Sequence, residues 1–186
     1  MDVKLSISPG FLMLAAFFAF GGYRFFEFRM LIMWLFAAAV HEAAHLLAAL
    51  LLRVSVRGIK FDVLGIRIEL ERGMISYQKE IAIAAAGPAA NLLSFAVFGM
   101  RGEFAAFSLM LGIINLLPIK SLDGYRILHS LAALFCGAET AERAMRILSG
   151  AGIIFLWSMG VYMLLRYRAS LPLFLLSCSL FVSQFL

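Results

Sequence analysis

The feature that most constrains the fold of this chain is an apolar run at residues 30–52. The run also contains ionisable side chains. The run is long enough to cross a bilayer as one helix, yet it contains His41, Glu42 and His45. Because ionisable groups are costly in lipid, they indicate a functional site within the membrane. Residues four apart lie on one face of a helix, so both histidines can bind one metal ion. Glu42 lies beside that face and can act as a base on a nearby water.

The composition indicates an integral membrane protein. The 186 residues are 63% hydrophobic, whereas a soluble domain is about half apolar. Apolar segments recur along the whole length, which predicts one membrane domain over residues 1–186 with a catalytic core at about residues 30–128. The net charge of +5 lies mostly in loops, where the positive-inside rule explains it without a nucleic-acid partner.

The apolar segments predict an all-α polytopic membrane protein with about six transmembrane helices. They lie at residues 11–22, 30–52, 80–100, 104–117, 150–165 and 171–186. Between the second and third, apolar and polar residues alternate on both sides of Gly65, which predicts a β-hairpin. A plain solvated loop is the alternative. Six spans place both termini on one side, and the excess of Lys and Arg there predicts that this side, with the opening of the metal site, is cytoplasmic.

A break in the fourth apolar segment supplies a third metal ligand. Pro118 interrupts the segment and Asp123 follows shortly after it. Irregular backbone at membrane depth is tolerated only where protein buries it or it lines a wet cavity, so a carboxylate there can reach inward. We prefer Asp123 to His129 as the third ligand, since a helical His129 would point away from Asp123. The sequence predicts one zinc ion per chain.

A short motif in the third predicted span has two interpretations. Gly87 and Pro88 are followed by Asn91. Proline removes one helical hydrogen bond and glycine permits close approach of another backbone. The segment is either a kinked packing helix or a helix that faces the substrate, and in both cases Asn91 needs a polar partner.

Three motifs, in order on separate predicted spans, resemble the site-2 protease family of intramembrane zinc metalloproteases, peptidase family M50. They are His41-Glu42-x-x-His45, Gly87-x-x-x-Asn91, and Asn115-x-x-Pro118 followed by Leu122-Asp123-Gly124. The pattern is most similar to the sporulation branch, the stage IV processing protease. Many relatives carry prolines where this chain has Lys120 or Ser121, and glycine where it has Tyr125. Sporulation-type relatives often carry a C-terminal CBS domain, which we expect this chain to lack.

The resemblance implies a set of roles. His41, His45 and Asp123 would bind zinc, and Glu42 would activate water. The residues implied to bind substrate are Asn115, Asn91, Gly87 and Pro88. The hairpin would pair with an extended substrate. The implied partners are the lipid bilayer, a membrane-tethered protein substrate such as a sporulation sigma-factor precursor, and a regulatory membrane protein. The implied location is a bacterial cell membrane or the membrane around a forespore.

Two other functions compete with proteolysis. In a metal or proton transporter, the same ionisable residues would form a relay. An inactive family member would bind and retain membrane partners without cutting them. Glu42 favours the protease, because only proteolysis needs a carboxylate base beside the metal.

Overall fold

The computed structural model describes residues 4–7, 28–54, 56–62, 65–70, 75–99 and 102–167. Within these ranges the chain forms five helices and three strands. In chain order they are β1 (Lys4–Ile7), α1 (Phe28–Leu51), β2 (Val56–Asp62), β3 (Gly65–Leu70), α2 (Tyr77–Phe98), α3 (Glu103–Asn115), α4 (Asp123–Cys136) and α5 (Ala138–Tyr167). They divide into two compact units, Met1–Ile114 and Asn115–Leu186.

The two long helices of the first unit, α1 and α2, pack against each other. The chain leaves α1 through Arg53, whose φ of 53° is left-handed, and Val54 N donates to the Ala49 carbonyl at 2.9 Å. This bond satisfies one of the carbonyls that a helix end leaves unpaired. Lys79 Nζ, in the first turn of α2, donates to the Leu52 carbonyl at 3.0 Å. The end of one helix is therefore tied to the start of the next.

The start of α2 is capped and its interior contains a proline. Ser76 is the N-cap, and its hydroxyl accepts a hydrogen bond from Lys79 N. Pro88 lies inside the helix without ending it, as neighbouring helices permit in membrane proteins. Helix α3 approaches at Gly112, where an added methyl group would lie 3.4 Å from the Pro88 carbonyl oxygen.

Helix α3 is joined to the first unit at its N-terminal end by aromatic and charged contacts. The Phe104 ring lies 5.2 Å from that of Phe36 and 5.5 Å from that of Phe98, measured between ring centroids. Arg29, near the start of α1, forms an ion pair with Glu103. These contacts fix the start of α3 against both longer helices.

The three strands form one sheet in the order β1-β2-β3. β2 and β3 pair antiparallel at the position where the alternating sequence predicts two strands. Gly65 pairs with Asp62 and is the first residue of β3, so the prediction that the turn lies at Gly65 is wrong. β1 adds a parallel strand beside β2. The sequence does not predict β1, because a strand of four residues is too short to show a clear alternation.

The second unit begins with an irregular turn that is fixed by α4 and α5. Ser149 Oγ accepts a hydrogen bond from Lys120 N at 3.0 Å. The buried Ile119 side chain lies against Gly152, where an added methyl group would be 3.4 Å away. An added methyl group on Gly124 would overlap the Leu116 carbonyl, so the first turn of α4 needs glycine there. Helix α3 ends at Asn115, shortly before Pro118, and the turn leads directly to Asp123.

Three described helices are long and apolar enough to cross a membrane: Arg29–Leu51, Tyr77–Phe98 and Ala138–Tyr162. They support an integral membrane protein, but the predicted count of six spans is not supported. The fourth predicted span corresponds to the short apolar helix Glu103–Asn115. The fifth is the later part of α5, which begins well before residue 150. The predicted spans at 11–22 and 171–186 lie outside the described residues.

Candidate metal centre

Two buried histidines on α1 direct their side chains toward one point. His41 and His45 are 4% and 6% exposed, although they lie in a helix with many exposed apolar side chains. Their Nε2 atoms are 3.1 Å apart and their rings meet edge to face at 83°. Two nitrogens bound to the same tetrahedral zinc, at about 2.0–2.1 Å each, are roughly 3.3 Å apart. The observed spacing therefore fits a shared metal ion.

A backbone carbonyl of α2 fixes the tautomer of His45. His45 Nδ1 donates to the Ile83 carbonyl oxygen at 2.7 Å. A carbonyl can only accept, so the ring proton of neutral His45 is on Nδ1 and Nε2 keeps its lone pair. This is the arrangement that metal-bound histidines commonly have. The sequence does not predict that the Ile83 carbonyl bonds to His45, because every residue type has a backbone carbonyl.

The partner of His41 is the side chain of Asn91. Asn91 is fully buried, and its Nδ2 lies 3.2 Å from His41 Nδ1. Asn91 Oδ1 is also buried and has no hydrogen-bond partner among the described residues. The sequence predicts that Asn91 needs a polar partner. That partner is His41, a proposed metal ligand. The predicted role of Asn91 in substrate binding remains a prediction.

Gly87 provides the space in which the two imidazoles lie. A methyl group built on Gly87 would overlap the His45 ring and come within 2.7 Å of His41 Nε2. Only a residue without a side chain permits both rings to approach α2 this closely. The sequence predicts that Gly87 permits close approach of another backbone. In the structure, the groups that approach Gly87 are instead two imidazoles. Pro88, beside it, is buried, and the substrate roles predicted for Gly87 and Pro88 remain predictions.

Glu42 lies between the two histidines in the sequence, on the next position around α1. It is less buried than either imidazole, as a base that must meet water and substrate requires. The first unit alone therefore brings together His41, His45, Gly87 and Asn91, with Glu42 adjacent in the chain.

The second unit carries the two remaining predicted residues. Asp123 is the first residue of α4, is 8% exposed and offers one carboxylate oxygen as a ligand atom. Arg126, one turn later, lies 3.7 Å from that carboxylate. Asn115 is the last residue of α3. The roles of Asp123 as third ligand and Asn115 in substrate binding remain predictions.

His129, the alternative third ligand, belongs to another cluster in the second unit. Its Nε2 lies 3.4 Å from Glu142 Oε2, and its ring stacks on Tyr125 at 5.8 Å between centroids. Tyr125 donates to the same Glu142 oxygen at 3.2 Å. Burial, and then the Glu142 charge, raise the pKa of Tyr125. The contact with Glu142 engages the ring nitrogen of His129 and favours Asp123 as the third ligand.

Comparison with known proteins agrees with this chemistry. Residues 100–159 match the model of peptidase family M50. A protein of Synechocystis sp., provisionally named a zinc metalloprotease, is 30% identical over 141 residues, which is 66% of this chain. The chain spans 36% of the length of that relative.

The fold also has a counterpart among solved structures. A site-2 protease from Methanocaldococcus jannaschii matches with a TM-score of 0.71 over 99% of this chain and 90% of that chain, at 19% identity. At this identity the match shows a shared fold. The family model and the zinc metalloprotease relative thus each match part of this chain, and the solved structure shares its fold.

Proposed function

We propose that this chain is an intramembrane zinc metalloprotease that hydrolyses a peptide bond of a membrane-associated protein. The observation that carries the proposal is the pair of buried imidazoles whose Nε2 atoms converge within a helix apolar enough to span a bilayer. Such a helix has no structural need for two histidines, and intramembrane ionisable groups are functional sites by default.

His41, His45 and Asp123 would hold the zinc ion. Three protein ligands leave one coordination position for water or substrate, as catalytic zinc sites require. Zinc, when bound, supplies a Lewis acid that polarises the peptide carbonyl and makes water more acidic. His45 is already in the tautomer that leaves Nε2 available, because Ile83 holds the proton on Nδ1.

Glu42 would move the protons. It accepts a proton from the attacking water and donates it to the amine that leaves. Asn115 would stabilise the negative charge that develops on the peptide carbonyl oxygen, since its amide can donate a hydrogen bond there. Gly87, Pro88 and Asn91 would line the substrate side of α2.

The substrate must be extended before it is cut. A peptide bond within a helix has its carbonyl bonded internally, so attack requires local unwinding. β3 is an outer strand of the sheet in the described part of the chain, and an outer strand can pair with an incoming strand through backbone hydrogen bonds. We therefore place substrate pairing at β3. Helix-breaking residues beside the scissile bond should speed cleavage, and a leucine-rich helical replacement should slow it.

Proline scanning along β3 tests strand pairing. Proline at Ile66 or Ile68 should impair cleavage without loss of zinc, because it removes a backbone donor. Ile66→Ala and Ile68→Ala are the matched controls, since they shorten the same side chains but keep the backbone donors. Wild-type cleavage by both proline variants would exclude β3 as the pairing edge.

The substrate and the side of the membrane are further parts of the proposal. The resemblance to the sporulation branch supports a sigma-factor precursor as substrate, and the distribution of Lys and Arg supports a cytoplasmic site. A labelling cysteine tests the proposed side of the membrane, and at Ser76 it would remove the cap of α2. Gln78→Cys is preferable because Gln78 is exposed beside the cap. Labelling by an impermeant reagent from outside intact cells would reverse the proposed topology.

A reconstituted cleavage assay tests the proposal as a whole. Purified chain in vesicles is incubated with a membrane-tethered sigma-factor precursor, with and without a zinc chelator. We expect cleavage that the chelator abolishes and zinc restores. Cleavage that continues in protein shown to be free of metal would reject a metalloprotease.

A further inference from the structure

Helix α1 ends in a backbone motif that normally contains glycine. Arg53 N donates to the Leu50 carbonyl at 3.0 Å, and Val54 N donates to the Ala49 carbonyl at 2.9 Å. This pair of bonds is typical of a helix end whose first residue beyond the cap is left-handed, and that residue is usually glycine. Here the residue is Arg53, with a φ of 53°. An arginine therefore occupies a position that glycine would fill at a lower conformational cost.

The conformation of Arg53 is unusual in the part of the chain that the structure describes. Every other positive φ there belongs to a glycine, Gly99 or Gly137. A backbone conformation that costs free energy persists only where something else in the molecule compensates for it, and such residues cluster at functional positions. The Arg53 side chain is the feature that glycine would lack, so we looked for what it contacts.

Arg53 lies where an apolar helix surface ends. The candidate span of α1 ends at Leu51. Leu47, Leu50 and Leu51 are 59%, 61% and 74% exposed, as expected of side chains that face lipid. Arg53 follows two residues later and is exposed. Its guanidinium is therefore within reach of the boundary between hydrocarbon and headgroups, where long basic side chains place their charge.

The charges at the two ends of α1 are balanced differently. Near the start of the helix, Arg29 forms an ion pair with Glu103. At the other end, Arg53 has no ion pair with any carboxylate among the described residues. The positive charge of Arg29 is thus compensated inside the protein, whereas that of Arg53 is available to an anion outside it.

A second positive charge lies beside Arg53. Lys79 Nζ donates to the carbonyl of Leu52, the residue before Arg53, at 3.0 Å. Glu80 is the acidic residue in the same first turn of α2, but the surrounding sequence remains basic. Residues 53–80 carry six basic and four acidic side chains. The end of α1 is therefore complementary in charge to an anionic membrane surface.

We propose that Arg53 binds the phosphate of an anionic lipid headgroup at the membrane face where α1 ends. A guanidinium can engage two phosphate oxygens through parallel N–H donors. A free phosphate ion offers the same chemistry, but the exposed leucines just before Arg53 favour a phosphate that belongs to a lipid. His45 lies eight residues before Arg53, or about 12 Å along the helix, so this contact would fix the depth of the metal centre.

The lipid contact is independent of the proposed function. Its tests need neither zinc nor substrate, so a protein that cleaves nothing would leave the contact standing. Loss of the lipid contact would likewise leave the protease proposal intact.

Lipid selectivity beside Arg53 can be measured by tryptophan fluorescence. The reporter protein carries Leu51→Trp together with Trp34→Phe and Trp157→Phe, so that its one tryptophan lies next to Arg53. Brominated phospholipids quench a tryptophan only when they are adjacent to it. Vesicles that contain brominated phosphatidylglycerol or brominated phosphatidylcholine give the relative affinity for the two lipids. We expect the anionic lipid to bind about fivefold more tightly, the effect of one basic residue near an anionic surface.

Three substitutions in the reporter protein separate charge from backbone conformation. Arg53→Lys keeps the charge and should keep the preference for phosphatidylglycerol. Arg53→Gln removes the charge and keeps a side chain, while Arg53→Gly removes the charge and suits the left-handed backbone. Both should bind the two lipids equally. Equal binding with Arg53 present, or an unchanged preference in both uncharged variants, would overturn the proposal.

Added salt distinguishes a lipid headgroup from a free anion. Inorganic phosphate and sodium chloride are compared at equal ionic strength in the phosphatidylglycerol vesicles. Screening should reduce the preference equally for both salts. A larger reduction by phosphate would show that Arg53 binds the free ion, and the assignment to lipid would then be wrong.

Thermal midpoints in uncharged detergent test whether Arg53 instead acts within the fold. A basic side chain near a helix C-terminus can bond to the last carbonyls and interact with the helix dipole. If Arg53 serves the lipid, Arg53→Gly should be at least as stable as wild type in this detergent, because glycine relieves the left-handed conformation. A lower midpoint for Arg53→Gly would show that Arg53 caps α1 from within the protein and would overturn the proposal.

Discussion

The two units of the molecule each contain a cluster of polar side chains, and the two clusters differ in burial. In the first unit, the polar side chains of the candidate metal centre are nearly fully buried and convergent, because His41 and His45 contact each other, Asn91 and a backbone carbonyl. In the second unit, Glu142 contacts three side chains, but its own side chain is 47% exposed. The three are Tyr125, His129 and Arg146. A buried group without a partner is costly, whereas an exposed ion pair contributes little. Burial with convergence therefore distinguishes a reactive site from a network that only joins two helices.

The largest effect that this comparison predicts is at Glu42. Glu42→Gln keeps size and polarity but cannot take a proton, so cleavage should fall by at least about 10²- to 10⁴-fold. Zinc content should remain that of wild type, which metal analysis of the purified protein would check. A variant that cuts at the wild-type rate would show that the first unit does not contain the base.

The next effect tests whether the second unit completes the metal centre. Asp123→Ala removes a proposed ligand, so zinc affinity should fall by more than the roughly 10- to 100-fold typical of outer-shell partners. His129→Ala is the matched control, and it should change zinc affinity little because its ring contacts Glu142. Reversal of these results, with zinc lost only in the His129 variant, would exchange the two assignments.

A smaller effect is expected where the imidazoles lie against α2. Gly87→Ala should weaken zinc binding and lower stability by about 1–3 kcal/mol, because the added methyl group overlaps both rings. Gly150→Ala is the control: Gly150 lies within α5 and a methyl group there meets nothing within 4 Å. It should leave zinc binding unchanged and favour the helix by up to about 1 kcal/mol. Thermal midpoints in detergent would measure the stabilities, and equal behaviour of the two variants would contradict the close contact at Gly87.

The smallest effect is expected in the exposed network of the second unit. Tyr125→Phe removes one hydrogen bond to the half-exposed Glu142. The loss should destabilise the protein by about 1 kcal/mol or less, with cleavage and zinc content unchanged. A loss of activity as large as that of Glu42→Gln would show that this network takes part in the reaction.

The sequence predicted the helix that carries the candidate site, because the apolar run and the four-residue histidine spacing are local patterns that a helix satisfies by itself. It also located the two strands around residues 56–70, since alternation is local as well. It did not predict β1, which is defined by pairing with β2 and not by its own composition. Two of the six predicted spans lie outside the described residues. For the others, an apolar segment shorter than a span does not reveal whether it crosses the membrane, ends early or continues as part of a longer helix.

The sequence by itself predicted the candidate metal ligands, and the tertiary structure decided which groups hold their side chains. The motif names His41, Glu42 and His45 as the residues for metal chemistry, because residue type and helical spacing are sufficient for that. It does not show that a carbonyl fixes one histidine, that an amide holds the other, or that Gly87 makes room for both. Those facts depend on how α2 packs against α1. A tautomer is set by whichever donor or acceptor meets the second ring nitrogen, and only packing between distant segments brings that group into place.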